Sequence, residues 1–240
     1  MRFFWLSRQS APLTVRNLAM GTDRYGFAVT MSMIVAILVC LLTTSTADSL
    51  HRYATVTALA VGIINGTPIG GVHYIAIQLD YDPQGQGPRI LFSERRRGSI
   101  VGDGWKEGVR VATVAASYAM EQDARYWTVT IQNRTNHSLT DGSSASAAIA
   151  VGIMAAWRGD TVRSDVVLTG AIRPNGDIGR VDGLLSKLDG AARAHLHMLL
   201  VPKGQARTPE WDLIEQGSQQ NITVVEVGSL AEAYERMTIP

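Results

Sequence analysis

The run ASAAIAVGIMAAW, from Ala145 to Trp157, is apolar almost all round a helix. A helix without a polar face has to be buried on every side, so other elements must surround it. The rest of the chain supplies them by alternation. ATVTALAVGII, from Ala54, is β-branched and apolar, and GVHYIAIQLDY, Gly71 to Tyr81, alternates as a half-buried strand does. The turn-rich segment Asp82 to Pro88 breaks the sheet, and RILFSE resumes it. Trp105 to Met120 carries apolar residues at helical spacing, and Tyr126 to Gln132 returns to period two. After the buried helix come a strand over Ser164 to Ile172, a helix over Leu184 to His195, strands at MLLVP and ITVVEV, and a terminal helix at SLAEAYERM. Asn175-Gly176, between apolar runs, predicts a type I′ hairpin turn that pairs VVLTGAI with DIGRV. This alternation predicts an α/β domain over residues 53–240.

The segment in front is different. Phe27 to Ala47 is a run without a charge, preceded by Arg2, Arg8, Arg16 and Arg24 against the single acid Asp23. At about 1.5 Å per residue a run of about 20 residues crosses a bilayer as a helix. The basic segment 1–26 then stays cytoplasmic and the domain lies on the extracytoplasmic side. A signal peptide cleaved after Ser-Thr-Ala, leaving a secreted domain, is the rival reading, and a buried core helix the third. The length and the long apolar run favour the uncleaved transmembrane anchor.

Composition narrows the chemistry. With 22 basic and 21 acidic residues, the net charge of +1 gives no electrostatic footprint for nucleic acid. Cys40, the only cysteine, lies in the apolar run, which excludes an internal disulfide and argues against thiol catalysis or a thiolate metal site. No cofactor and no metal is called for. Lys106, Lys187 and Lys203 are the only lysines beside nineteen arginines. Lysine becomes a base when burial lowers its pKa, whereas arginine does not deprotonate. A serine needs such a base to act as a nucleophile at neutral pH. The five histidines show no spacing that singles one out.

Three stretches in register resemble one family: DGSSAS at Asp141 to Ser146, VVLTGAI at Val166 to Ile172, and GDIGRVDGLLSKLDGAARA at Gly176 to Ala194. They are similar to the proteolytic domain of Lon proteases. There an Asp-Gly-Pro-Ser-Ala-Gly segment holds the nucleophile, a Thr-Gly-Glu strand follows, and a Gly-Gly-x-x-x-Lys segment holds the catalytic lysine. The match falls on Ser144, on Thr169 at 169 − 144 = 25 positions further, and on Lys187 at 187 − 144 = 43 positions. DGWKEGVRVATVAASYA and ITVVEVGSLAEAYERM extend the likeness over most of residues 54–237.

The resemblance implies a Lon-type, ribosomal-protein-like α/β fold and a Ser-Lys dyad peptidase. Ser144 is then the nucleophile, Lys187 its general base, and Thr169 the residue that orients the lysine. The backbone N–H groups at the start of the Ala145 helix are expected to form the oxyanion hole. The substrates implied are polypeptides, and a hexameric homo-oligomer is implied as well. Nothing in the chain resembles the phosphate loop GxxxxGK[ST], so the activity is expected to be ATP-independent. Ser143 stands in place of the pattern's proline, Ser146 in place of its glycine and Ala171 in place of its glutamate, and no histidine matches the one the family has upstream.

Local sequence alone reads otherwise: a serine before a helix is an N-cap, and a helical lysine is solvated. The departures also leave open a catalytically weak or inactive Lon-like binding module. A signal-peptidase-like Ser-Lys enzyme, mostly β, is the third alternative, and the buried helix directly after the serines argues against it.

Overall fold

The chain divides into two units, Met1–Asp48 and Ser49–Pro240. The computed structural model describes residues 52–94, 100–135 and 139–239, all within the second unit. The expected anchor, residues 27–47, lies outside the described residues. Among those described, no helix is long and apolar enough to cross a membrane.

A long antiparallel hairpin opens the domain, β1 (Arg52–Ile64) with β2 (Thr67–Tyr81). Its two-residue turn is Asn65-Gly66, with φ of 51° and 82°. Both signs are those of a type I′ turn, for which Asn-Gly is the favoured pair because both positions need positive φ. β5 (Trp127–Arg134) pairs antiparallel with β2, and β3 (Arg89–Phe92) pairs parallel with β5, giving the order β1-β2-β5-β3. On β2 from His73 onward the buried positions are His73, Ile75, Ile77 and Leu79, at period two, so one face of the sheet is largely apolar, and Gly70 is buried before them.

That face receives the helices. α1 (Asp103–Ala119) and α2 (Ser146–Arg158) pack against each other, and α2 also lies on β1 and β2. Every residue of α2 from Ser146 to Ala156 is buried, as its all-round apolar sequence requires. Trp127 and Trp157, with ring centroids 5.4 Å apart, and the buried Ile149 and Ile153 anchor this layer. Each such side chain contributes about 1.5–3 kcal/mol by leaving water.

A second core gathers around a three-stranded parallel sheet of order β12-β11-β8: β12 (Thr223–Val227), β11 (Met198–Pro202) and β8 (Val166–Leu168). α3 (Leu184–Arg193), α4 (Leu213–Gln219) and α5 (Leu230–Met237) follow in the chain. Short ladders complete the domain: β4 (Ile100–Val101) with β6 (Leu139–Thr140), β7 (Thr161–Val162) with β13 (Thr238–Ile239), and β9 (Ala171–Ile172) with β10 (Ile178–Gly179).

The expected hairpin around Asn175-Gly176 is only partly present. Ala171–Ile172 does pair with Ile178–Gly179, but Val166–Leu168 leaves it for the parallel sheet. The turn is not type I′, since Gly176 has φ of 88° while Asn175 is not among the positive-φ residues. Its hydrogen bond runs from Gly176 N–H to the Arg173 carbonyl at 2.9 Å, so Pro174 and Asn175 are the central residues. Pro174 fixes φ near −65° and suits the first central position of a type I turn.

Candidate active site

Ser144 sits in the loop between β6 and α2, and four hydrogen bonds join this loop and the first turn of α2 to residues 169–172. Gly170 N–H donates to the Ser144 carbonyl at 2.8 Å, and the Thr169 hydroxyl donates to the same carbonyl at 3.3 Å. In return Ala147 N–H donates to the Gly170 carbonyl at 3.1 Å, and Ile172 N–H donates to Ser146 Oγ at 2.9 Å. Ser146, which replaces the glycine of the pattern, is therefore a buried acceptor that holds the next strand. Neither Ser143 nor Ser144 acts as the N-cap; that position is Ala145, and no side chain caps the helix. Ser143 is exposed and Ser144 half-buried.

The Asp141 carboxylate fixes the other end of the loop. Its Oδ1 accepts from Gly142 N–H at 2.8 Å and from Trp105 N–H at 3.0 Å, at the start of α1. These N–H donors hold its pKa below the usual carboxylate value. The residue is structural, as a turn aspartate in this motif is expected to be.

Lys187 comes from α3, which crosses β2 at a glycine contact. A Cβ on Gly70 would lie 1.8 Å from the Ser186 carbonyl oxygen, and one on Gly190 would lie 2.8 Å from the Gly70 carbonyl carbon. The Arg193 guanidinium donates to the Gly70 carbonyl at 2.6 Å and holds the crossing. Gly70→Ala is therefore expected to destabilise the domain by about 3 kcal/mol, at the upper end for overpacking, as read by urea unfolding.

Lys187 is 3% exposed and Thr169 is fully buried. Lys187 Nζ donates to Thr169 Oγ1 at 3.0 Å, and that hydroxyl passes its own hydrogen to the Ser144 carbonyl. Thus the three residues picked from sequence meet in one relay, lysine to threonine to serine main chain. Burial pulls the Lys187 pKa from 10.5 down to about 8, and the charge of Asp182 opposes the fall. Leu184 and Leu188 supply part of the dry surroundings, whereas Leu185, expected to do the same, is 40% exposed.

Ser144 and Lys187 line one cavity of about 550 Å³, whose wall also includes Ala60, Val61 and Gly62 of β1. Sequence reasoning missed two of its residues. His73 is buried on β2 and reaches the cavity from the apolar face, a placement the period-two alternation of Gly71 to Tyr81 already carried. Asp182 lines the mouth at the first glycine position of the Gly-Gly-x-x-x-Lys pattern, a departure that was the local signal able to mark it. One expectation needs correction. The N–H groups of Ser146 and Ala147, at the start of α2, already donate to the Ser143 and Gly170 carbonyls. Any oxyanion donors at this end are those of Ser144 and Ala145 instead.

The site thus holds a buried lysine bonded to the threonine that holds a loop serine's carbonyl, in an α/β domain, and sequence comparison gives the family. The profile of the Lon protease (S16) C-terminal proteolytic domain matches residues 98–238, and the chain belongs to that family. An archaeal Lon protease of Pyrococcus abyssi is 24% identical over 127 residues, 53% of this chain and 12% of that protein. A Lon protease of Haemophilus influenzae is 30% identical over 92 residues, 38% of this chain and 11% of that protein. Lon protease 2 of Herpetosiphon aurantiacus is 33% identical over 92 residues, with the same coverage. The chain thus matches about a tenth of the length of these relatives.

Proposed function

We propose that this protein is a serine endopeptidase in which Ser144 is the nucleophile, neutral Lys187 the general base and Thr169 the residue that orients the lysine. The buried Lys187, bonded through Thr169 to the Ser144 main-chain carbonyl and lining the same cavity as Ser144, supports the reading. Ser144 Oγ attacks the peptide carbonyl as Lys187 takes its proton, and an acyl-enzyme forms. Lys187 then returns that proton to the leaving amine, and water attacks the ester with the same lysine as base. The N–H groups of Ser144 and Ala145 are the donors available to the oxyanion, near the positive end of α2.

The base works only as the free amine. With a pKa of about 8, kcat/KM is expected to rise with pH through about 8 and to level above it. Thr169→Val keeps the volume and removes both hydrogen bonds. It is expected to lower kcat by about a hundredfold, on the scale of a general-base contribution, with little change in KM. Peptide hydrolysis by the purified full chain without nucleotide tests the reading. Turnover that requires ATP, or no turnover in the pH 8–10 range, contradicts it.

We further propose that residues 27–47 anchor the protein and that the domain is extracytoplasmic. Digestion of the domain by protease added to cells stripped to the cytoplasmic membrane, with a cytoplasmic protein spared, is the expected result; sparing of the domain contradicts that placement. A hexamer, in line with the resemblance, is tested by sedimentation of the detergent-solubilised protein.

A further inference from the structure

The mouth of the cavity carries three charged side chains, and two of them are committed elsewhere. The Asp141 carboxylate is taken by main-chain N–H groups, and the Arg180 guanidinium donates to the Gly204 carbonyl at 3.3 Å. Asp182 is exposed, directly precedes Gly183, the N-cap of α3, and has no hydrogen bond or close ion pair among the described residues. We propose that Asp182 makes this cavity selective for peptides with a lysine or arginine side chain beside the scissile bond. The inference rests on the peptidase reading above.

Three features support it. The same lining includes the uncharged Ala60, Val61 and Leu139, with Val61 against Gly183 next to Asp182, so an aliphatic stem packs there while its charged head meets the carboxylate. When Lys187 is the free base, the mouth holds two carboxylates, Asp141 and Asp182, against the one Arg180 guanidinium, and Asp182 is the carboxylate with no hydrogen bond among the described residues. The third feature is coupling, because the negative charge of Asp182 favours the ammonium form of Lys187 against the effect of burial. A cation seated on Asp182 cancels that pull, so binding a basic side chain also frees the base. A glutamate at the same place is repelled and leaves Lys187 more protonated. The other groups facing the cavity are His73 from β2, Asp141 from the serine loop and Arg180 from the loop before α3. They are the same for every peptide and in an Asp182 variant, so ratios between peptides isolate Asp182.

The experiment uses the full chain and three fluorogenic peptides that differ only in Lys, Gln or Glu beside the scissile bond. The wild type is expected to prefer Lys over Gln by about fivefold in kcat/KM at low salt, the scale of one exposed ion pair, with Glu slowest. The preference falls as salt rises. In Asp182→Asn the Lys-to-Gln ratio is expected near one. The acid limb of the pH profile is expected at lower pH for the Lys peptide than for the Gln peptide in wild type, and at one pH for both in Asp182→Asn. An unchanged ratio in Asp182→Asn, or equal rates in wild type, overturns the inference and leaves the peptidase reading intact. Binding of the same peptides to Ser144→Ala, with and without Asp182→Asn, reads the preference without turnover. If no peptide is cleaved but binding still depends on Asp182, the peptidase reading fails and the preference stands.

Discussion

Replacing Lys187 with methionine is expected to cut peptide turnover by about ten-thousand-fold and, at the same pH, to raise stability. The first effect follows from removing the base, the second from what burial costs. Lys187 is 3% exposed and its pKa falls from 10.5 to about 8 on folding. The folded value lies below the unfolded one, so the folded state binds the proton less tightly. The penalty is absent above pH 10.5, grows as pH falls, and is complete below about 8. A difference of 10.5 − 8, about 2.5 units, corresponds to about 3 kcal/mol. Methionine has a similar length and no charge, so unfolding at pH 6.5 is expected to show a gain of that order, and unfolding at pH 11 little or none. Thr169 keeps its bond to the Ser144 carbonyl in the variant. A lysine with only a structural role would lose stability when replaced, so a drop at pH 6.5 contradicts the account.

Ser144→Ala is expected to lower turnover by a similar factor, whereas Ser143→Ala is expected to stay within about fivefold of wild type. The two serines are adjacent, yet the fold separates them. The Ser144 carbonyl is held by Thr169 and Gly170, which fixes its backbone beside the lysine relay. Ser143 is exposed, and its carbonyl accepts from Ser146 N–H in a local turn. Steady-state assays of both variants with one fluorogenic peptide decide the matter. Loss in Ser143→Ala with activity kept in Ser144→Ala would place the nucleophile one residue earlier. Double loss is not expected, because Ser143 makes no contact with Lys187 or Thr169 in the hydrogen-bond network described.

Much of this was legible because it is local. The buried helix of Ala145–Trp157 and the alternation of Gly71–Tyr81 are periodicity; the helix appears within one residue of the expected limits, while the strand ends where expected and begins four residues earlier, at Thr67. The order of Ser144, Thr169 and Lys187 was visible as register between motifs. What stayed hidden depends on the partner rather than the segment. Val166–Leu168 reads as one strand with Ala171–Ile172, yet the break at Thr169-Gly170 sends the first to β11 and the second to β10. That break is also what presents the Thr169 hydroxyl and the Gly170 N–H to Ser144. The chain holds two Asn-Gly pairs between apolar runs. The one at 65–66 makes the type I′ turn, while Pro174 denies it to the other. His73 comes to the cavity from β2 and Asp182 from the loop before α3, two elements that meet at Gly70 and Gly190, a contact no single segment encodes.

The central claim is that Lys187 activates Ser144, and acylation of the protein tests it most directly. The full chain is treated with a serine-directed fluorophosphonate at a series of pH values, and the modified residue is located by peptide mass spectrometry. The account predicts a single adduct on Ser144, formed at a rate that rises through pH of about 8 and absent in Lys187→Met. An adduct on Ser143 or elsewhere, or labelling of Ser144 at the same rate without Lys187, would contradict it.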